Sequence, residues 1–507
     1  MTLEPEQASI AATLPVKEMQ RRLHPLSWLF VLIVQLKQFA LPLFALLVTG
    51  RGDRYELLPL IGVAALAIYS IFQYFTYRYR VLDDELVVRS GVFQKSVRHI
   101  PFSRIQNVSI TQNVLHRLFQ VAEVKLDAAG GAKPEAQMRV LSLADAHELE
   151  ELIRGHAHAA GINGTDQLPK SDAEVLHHMP VPDVMKLGLI NNRGMIVIGT
   201  GVGVLFQTAG ESVGKLVNSI MQLLFGWTNS LHLGTAATAT SIFLAVLLFL
   251  LLVRIFSVLL ALFRFYDFNL SRLGQRLTVQ RGLLSRMRSS LPLRRIQAYG
   301  LTEGWLHRRF DKRSLTVDSA AGVAVNEEDK SPLRDLVPLA TPREMDVLIA
   351  QFLASDQWPI QSWQPLHGDA WKREFLMPAL LVLVAGIAGA VFFQVYALVV
   401  LLLVPILFLR AKVWSAHAAY AHTDHLIAVR EGWLSRKWRF AEISKLQGLS
   451  LREGIFDRHY GMASLHLDTA GAQAMSSAFR IPYLSREEAD SLMTRLSTKI
   501  SNGPLPF

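Results

Sequence analysis

Residues Gly282–Asp318, GLLSRMRSSLPLRRIQAYGLTEGWLHRRFDKRSLTVD, decide the reading of this chain, because the same spaced pattern stands at two other places. Thirteen residues after Gly282 comes Arg295-Ile-Gln297, twenty-six after it Arg308, then Phe310, and thirty-six after it Asp318. Counted from Gly91, the same offsets give Arg104-Ile-Gln106, Arg117, Phe119 and Asp127. Counted from Gly432 they give Lys445-Leu-Gln447, Arg458, Tyr460 and Asp468, with no gap in any copy. A register kept three times over this length marks an internal repeat of one structural unit. The chain is read as three related domains, each following a pair of apolar segments.

Inside a copy the local pattern is β. Leu86–Ser90 and Phe93–Pro101 flank the Gly91 turn, Ile105–Thr111 alternates as a third strand, and Val121–Asp127 reads as another. A helix closes each copy. In the second, Thr341 is an N-cap, Pro342 stands at N1 and Glu344 at N3, while Met345, Leu348 and Phe352 share one face. Ser485 and Glu488 repeat the cap in the third. Short strands and one helix per copy predict a small barrel capped or plugged by that helix.

Outward from the repeats lie six apolar segments that reach or approach the length of about 20 residues needed to cross a bilayer. They are Leu26–Thr49 with Leu57–Phe75, Leu187–Ala209 with Ala236–Phe263, and Phe375–Phe393 with Val395–Leu409. Asn191, Asn192 and Arg193 interrupt the start of the third, whose Gly199, Gly201 and Gly203 read as close-packing positions. Val213–Phe225 reads as an amphipathic interfacial piece. Lys17, Arg21, Arg22, Arg78, Arg80, Arg410 and Lys412 flank the segments, which predicts a cytoplasmic side for both termini and all three polar domains. The polar start through Gln20 does not resemble a cleavable signal peptide. Two basic residues fall inside apolar segments, Lys37 between Gln35 and Gln38, and Arg254. Intramembrane charge points to function unless the side chain snorkels or pairs within the bundle.

Composition narrows the chemistry. Apolar residues make up 51% and charged residues 19%, an imbalance expected of membrane segments rather than of one large core. The absence of cysteine excludes disulfides, thiolate nucleophiles and cysteine-ligated metals. No phosphate loop, nucleophile elbow or HExxH motif is present, and His156, His158, His177, His178, His417, His422 and His425 are scattered. The expectation is no catalytic residue, no metal and no cofactor. A net charge of +10 fits anionic lipid better than nucleic acid, for which no recognition motif accompanies it.

The paired apolar segments, His24-Pro25 before the first, the run Arg104-Ile-Gln-Asn-Val-Ser-Ile with Leu115-His-Arg-Leu-Phe119, and the turn Asp127-Ala-Ala-Gly130 together resemble the bacterial pleckstrin-homology (PH-like) type-2 membrane proteins. The three-copy organisation is similar to the YdbT-type members of that family. The resemblance implies a seven-stranded PH-like barrel with a C-terminal helix in each copy, no agreed reaction, and a smaller one-domain PH-like membrane protein as partner. Pro101 and Pro292 are replaced by Glu442 in the third copy, which departs from the shared pattern.

The expected fold is thus six transmembrane helices in three pairs plus three PH-like β-barrel domains. The layout is a tail at 1–25, pairs at 26–78, 187–264 and 374–412, domains at 79–158, 265–355 and 413–498, and linkers at 159–186 and 356–373. Candidate lipid- or partner-binding residues are Arg104, Gln106 and Arg117, Arg295, Gln297 and Arg308, and Lys445, Gln447 and Arg458. The same glutamines can instead satisfy backbone groups at a strand end, and Asp127, Asp318 and Asp468 suit Asx turns. Gln280–Arg313 holds nine basic residues against Glu303 and Asp311, a net of +7. The expected role is a non-enzymatic platform in the bacterial inner membrane that binds lipid headgroups or a membrane protein. Translocation of lipid or small solutes is the competing expectation.

Overall fold

The computed structural model describes residues 77–128, 135–159, 174–201, 235–319, 334–353, 358–393, 400–469 and 479–502, with short interruptions, and parts of 20–33, 62–76 and 203–222. The chain forms two compact units. One comprises Met1–Ile105, His116–Val124 and Glu135–Thr165; the other Gln106–Leu115, Lys125–Pro134 and Asp166–Phe507.

In the first unit, strands Gln20–Arg22, Arg78–Val81, Glu85–Ser90 and Ser96–Pro101 form an antiparallel sheet in that order. Leu86, Ile100, Phe102, Met138 and Leu149 are buried in its core. The helix Leu143–Ala159 closes the copy.

The second unit repeats this plan twice. Strands Glu174–Met179, Phe268–Leu273, Arg276–Arg281 and Arg286–Pro292 are neighbours, and Ile296–Glu303, Arg313–Ser319 and Asp335–Ala340 follow the 3-10 turn Leu293–Arg295. The first strand of the copy therefore precedes the long helix Thr235–Phe265, in the stretch read from sequence as linker 159–186. Copy three is alike, with Gln364–Pro365 ahead of helix Ala370–Phe393.

The repeat glycines have a steric cause. Gly91, Gly282 and Gly432 adopt φ of +111°, +109° and +121°, and a Cβ at any of them would collide with a carbonyl oxygen of the same turn. Only glycine takes this conformation without strain. The cap expected at Thr341 is formed, with the Glu344 amide donating to Oγ1 at 3.4 Å and the Thr341 amide to Glu344 Oε2 at 3.0 Å.

Seven strands of a copy do not share one sheet. They divide four and three, and the fourth strand of a copy hydrogen-bonds to the fifth strand of the copy before it. Arg286–Ser290 pairs antiparallel with Val108–Gln112, and Arg436–Phe440 with Tyr299–Glu303. Buried Phe440 stacks on buried Tyr299 across the second seam, centroids 5.2 Å apart, an arrangement worth about 0.5–1.5 kcal/mol beyond its area.

The expectation of six transmembrane helices in three pairs is corrected. Among the described residues, two helices are long and apolar enough to cross a membrane, Phe243–Phe265 and Val400–His417. A hydropathy window sums side chains and does not register a break in the backbone. At Leu187–Ala209 the helix Val181–Ile190 ends at Asn191, whose φ of −84° and ψ of 134° leave the helical region. Helix Ala370–Phe393 opens on Lys372, Arg373 and Glu374, with Arg373 bonded to Asp457 at 2.9 Å, so its first turn belongs to the domain. The first pair falls largely outside the described residues, as do Lys37 and most of Val213–Phe225.

Close helix packing falls elsewhere than expected. A Cβ on Gly188 would lie 2.5 Å from the Val258 Cα, and one on Gly194 2.8 Å from Ser257, whereas nothing described lies within 4 Å of one on Gly199, Gly201 or Gly203. Ser257 Oγ also bonds the Gly188 carbonyl at 2.9 Å.

Candidate functional site

The end of the apolar helix Thr235–Phe265 is where charge gathers. The Leu283 amide donates to the Phe263 carbonyl at 3.0 Å and the Gly282 amide to the Tyr266 carbonyl at 2.8 Å, so the hairpin turn caps the helix terminus. That clip sets Arg281 against the ring of Phe265, guanidinium carbon 4.8 Å from the centroid. Arg193, just past the break at Asn191, lies 5.9 Å from the same ring, and Arg264 lies 5.7 Å from it. Asp335 answers two of them, 3.3 Å from Arg193 Nη2 and 3.8 Å from Arg281 Nη1.

Arg193, Arg264, Phe265 and Arg281 rim a cavity of about 500 Å³ whose remaining wall is mainly apolar, including Ile196, Val197, Leu260, Phe263, Leu284 and Met287. The Arg281 side chain is 4% exposed. Burial, reinforced by Arg264 and Arg193 and opposed by Asp335, pushes its pKa down to about 10, so it stays charged at neutral pH. Both Arg193 Nη1 and Arg281 Nη1 are buried without a hydrogen-bond partner. A buried donor left unmade costs about 1–3 kcal/mol, more when charged. An anion with an apolar tail would satisfy both sides of the cavity.

Three residues singled out by the repeat, Arg308, Lys445 and Asp318, bond across the seam between copies two and three. Arg308 Nη2 donates to the Leu434 carbonyl at 3.1 Å, and Lys445 Nζ to the Arg294 carbonyl at 2.8 Å, both between copies two and three. Buried Gln297 turns back to the Arg295 carbonyl at 3.4 Å, the strand-end role weighed against a ligand role. Gln297 and Lys445 line a second cleft of about 410 Å³ with Arg294 and Glu442. Arg295 is half-buried in the turn before it. Arg104 and Arg117 are exposed, Gln106 lies in strand Ile105–Gln112, and Gln447 and Arg458 are exposed on copy three. Asp318 accepts from Arg439 at 2.6 Å across the seam, and Asp127 from Asn107 at 2.9 Å. The structure does not bring the nine candidates to one point.

Arg254 has a local task. It donates to the Leu189 carbonyl at 3.3 Å and to Asn192 Oδ1 at 2.9 Å, serving the end of the broken helix. Arg193, Arg264 and Arg281 were not selected by sequence as a site. Their one legible signal was basic residues at the end of an apolar run. At the other apolar helix a comparable collar forms, with Lys412 Nζ 3.8 Å above Trp371 and Trp371 edge-on to Phe408. Among the described residues no group of three or more histidines, aspartates or glutamates could hold a metal ion.

Comparison with known proteins adds the family. The model of the bacterial PH domain matches at residues 31–157, 223–344 and 379–500. The chain is also similar to the UPF0699 transmembrane protein YdbT of Bacillus subtilis (strain 168), 22% identical over 496 residues, covering 93% of this chain and 99% of that one. No solved structure matches. The chain belongs to the bacterial PH domain family, with three copies of the domain.

Proposed function

From that membership we propose a non-enzymatic membrane protein whose three PH-like domains form a binding and assembly platform at the bilayer surface. The arginine-rimmed cavity takes the anionic headgroup of a membrane lipid. One observation carries this reading: Arg193 and Arg281 keep buried N–H groups without a hydrogen-bond partner beside an apolar wall, at the end of a helix long and apolar enough to cross a bilayer. Phe243, Leu244 and Val246–Leu252 on that helix are exposed, which in a water-soluble protein would be a costly apolar surface. Basic and aromatic residues at the domain ends of both apolar helices suit a headgroup layer. Lys and Arg on that side support a cytoplasmic position at the bacterial inner membrane.

Arg254 is taken up by Leu189 and Asn192 rather than left in a wet path, which favours the platform over translocation. A smaller one-domain PH-like membrane protein is the proposed protein partner, and affinity purification from native membranes tests for it. The lipid reading is tested by lipid analysis of the purified full chain. Anionic lipid enriched over the bulk membrane supports the platform, and lipid in bulk proportion overturns it.

A further inference from the structure

The two seams inside the chain obey one register. Arg286, four residues past its turn glycine, faces Gln112, twenty-one past its own; Arg436 faces Glu303 at the same two offsets. Each seam joins the fourth strand of one copy to the fifth strand of the copy before. The array has two strands of these classes left over. Among the described residues, fourth strand Ser96–Pro101 is ladder-paired only with Glu85–Ser90, and fifth strand Leu446–Arg452 only with Met462–Thr469. Open strand edges are templates for pairing with another chain.

We infer that these edges are the two halves of a third seam, formed head to tail between two copies of this chain. The residues that the shared register would place together are complementary. Lys95, which is exposed, would face Glu453, as Arg436 faces Glu303 at 3.8 Å in the second seam. Arg98 stands at the offset of Arg439, and Asp468 at that of its partner Asp318. Both are exposed; Arg98 now reaches the Glu135 carbonyl at 3.0 Å. Val97, 51% exposed, would cover Leu451, as Trp438 faces Leu301. Arg458 holds the position of Arg308, which bonds across the second seam. Its side chain is 74% exposed, 3.8 Å from Glu453.

Such a joint is heterologous, so it generates a ring or an open row rather than a two-fold dimer. It does not depend on the lipid reading. A self-association that survives delipidation would leave that reading untouched.

Because the chain has no cysteine, a disulfide reports the joint cleanly. Directly opposed antiparallel residues lie about 4.5–5.5 Å apart at Cα, within reach of a disulfide. Full-length Val97→Cys and Leu451→Cys chains with different tags would be co-expressed and oxidised in native membranes. The expected product is a mixed disulfide carrying both tags, with loss of that product when Leu451→Cys is replaced by the out-of-register Arg452→Cys. In a second measurement Lys95→Glu weakens self-association by roughly two- to fivefold, as for an ion pair at the rim of a seam, and adding Glu453→Lys restores it. The inference is overturned if no mixed disulfide forms while both thiols react with maleimide. It is equally overturned if a chain carrying both Val97→Cys and Leu451→Cys closes only on itself, or if the Leu451→Cys thiol captures a different, smaller protein.

Discussion

Arg439 of the third copy donates to Asp318 of the second at 2.6 Å, tying together two domains that the sequence presents as separate. Both side chains are mostly buried, 19% and 31% exposed, so the pair belongs to the seam rather than to the solvated surface. Asp318 was expected as an Asx-turn former, and its carboxylate instead serves the joint. In a double-mutant cycle of Asp318→Asn and Arg439→Gln, the coupling should be about 1 kcal/mol, read by denaturation of the purified chain. Additive effects would show that the seam does not form.

The repeat glycine makes a sharper claim. At φ +109°, Gly282→Ala meets both backbone strain and a collision with the Ser285 carbonyl oxygen. A loss of about 1–3 kcal/mol is expected, with a lowered Tm. Gly203→Ala, where nothing described lies within 4 Å, should leave Tm unchanged or slightly raised.

Acid should loosen copy two. His307 accepts the Gly304 amide at 3.2 Å through Nδ1 and meets Ser314 Oγ at 2.9 Å through Nε2; His177 bonds the Leu339 carbonyl at 3.1 Å. Burial holds both imidazoles below their ordinary 6.5. As pH falls through 6.5 the unfolded chain takes up protons that the folded one resists, so stability declines below that point. Tm measured between pH 7.5 and 5.5 should fall, and His307→Gln should flatten the slope. A Tm constant over that range would contradict it.

Phe440, fully buried between Tyr299 and Trp358, anchors the second seam. Phe440→Ala should cost about 3–5 kcal/mol, and limited proteolysis should then cut between copies two and three first. Cleavage elsewhere would place the main anchor outside the seam.

What could be read from the sequence was what is local. Gly91, Gly282 and Gly432 are visible because each turn permits no side chain, and Thr341 to Glu344 because a cap needs those groups at that spacing. The seam was not visible. The offsets align the copies with one another, but a fourth strand alternates the same way whether it pairs within its copy or with a neighbour. The third span was over-read because an apolar sum carries on past the turn at Asn191. The pocket gathers Arg193, Arg264 and Arg281 from three segments, and of these only Arg281 lay in the basic stretch Gln280–Arg313, one charge among nine.

Lipid occupancy of the arginine pocket is the most direct test. The delipidated full-length chain, in mild detergent, would be titrated with phosphatidylglycerol and with phosphatidylcholine and followed by native mass spectrometry. The wild-type chain should retain phosphatidylglycerol in preference. Arg281→Gln, alone or with Arg193→Gln, should lower that affinity about 10- to 100-fold, the worth of a charge-assisted hydrogen bond, while Tm holds or rises. Equal binding of both lipids by the wild type, or unchanged phosphatidylglycerol binding in the double variant, would contradict an anionic headgroup site at the end of the Thr235–Phe265 helix.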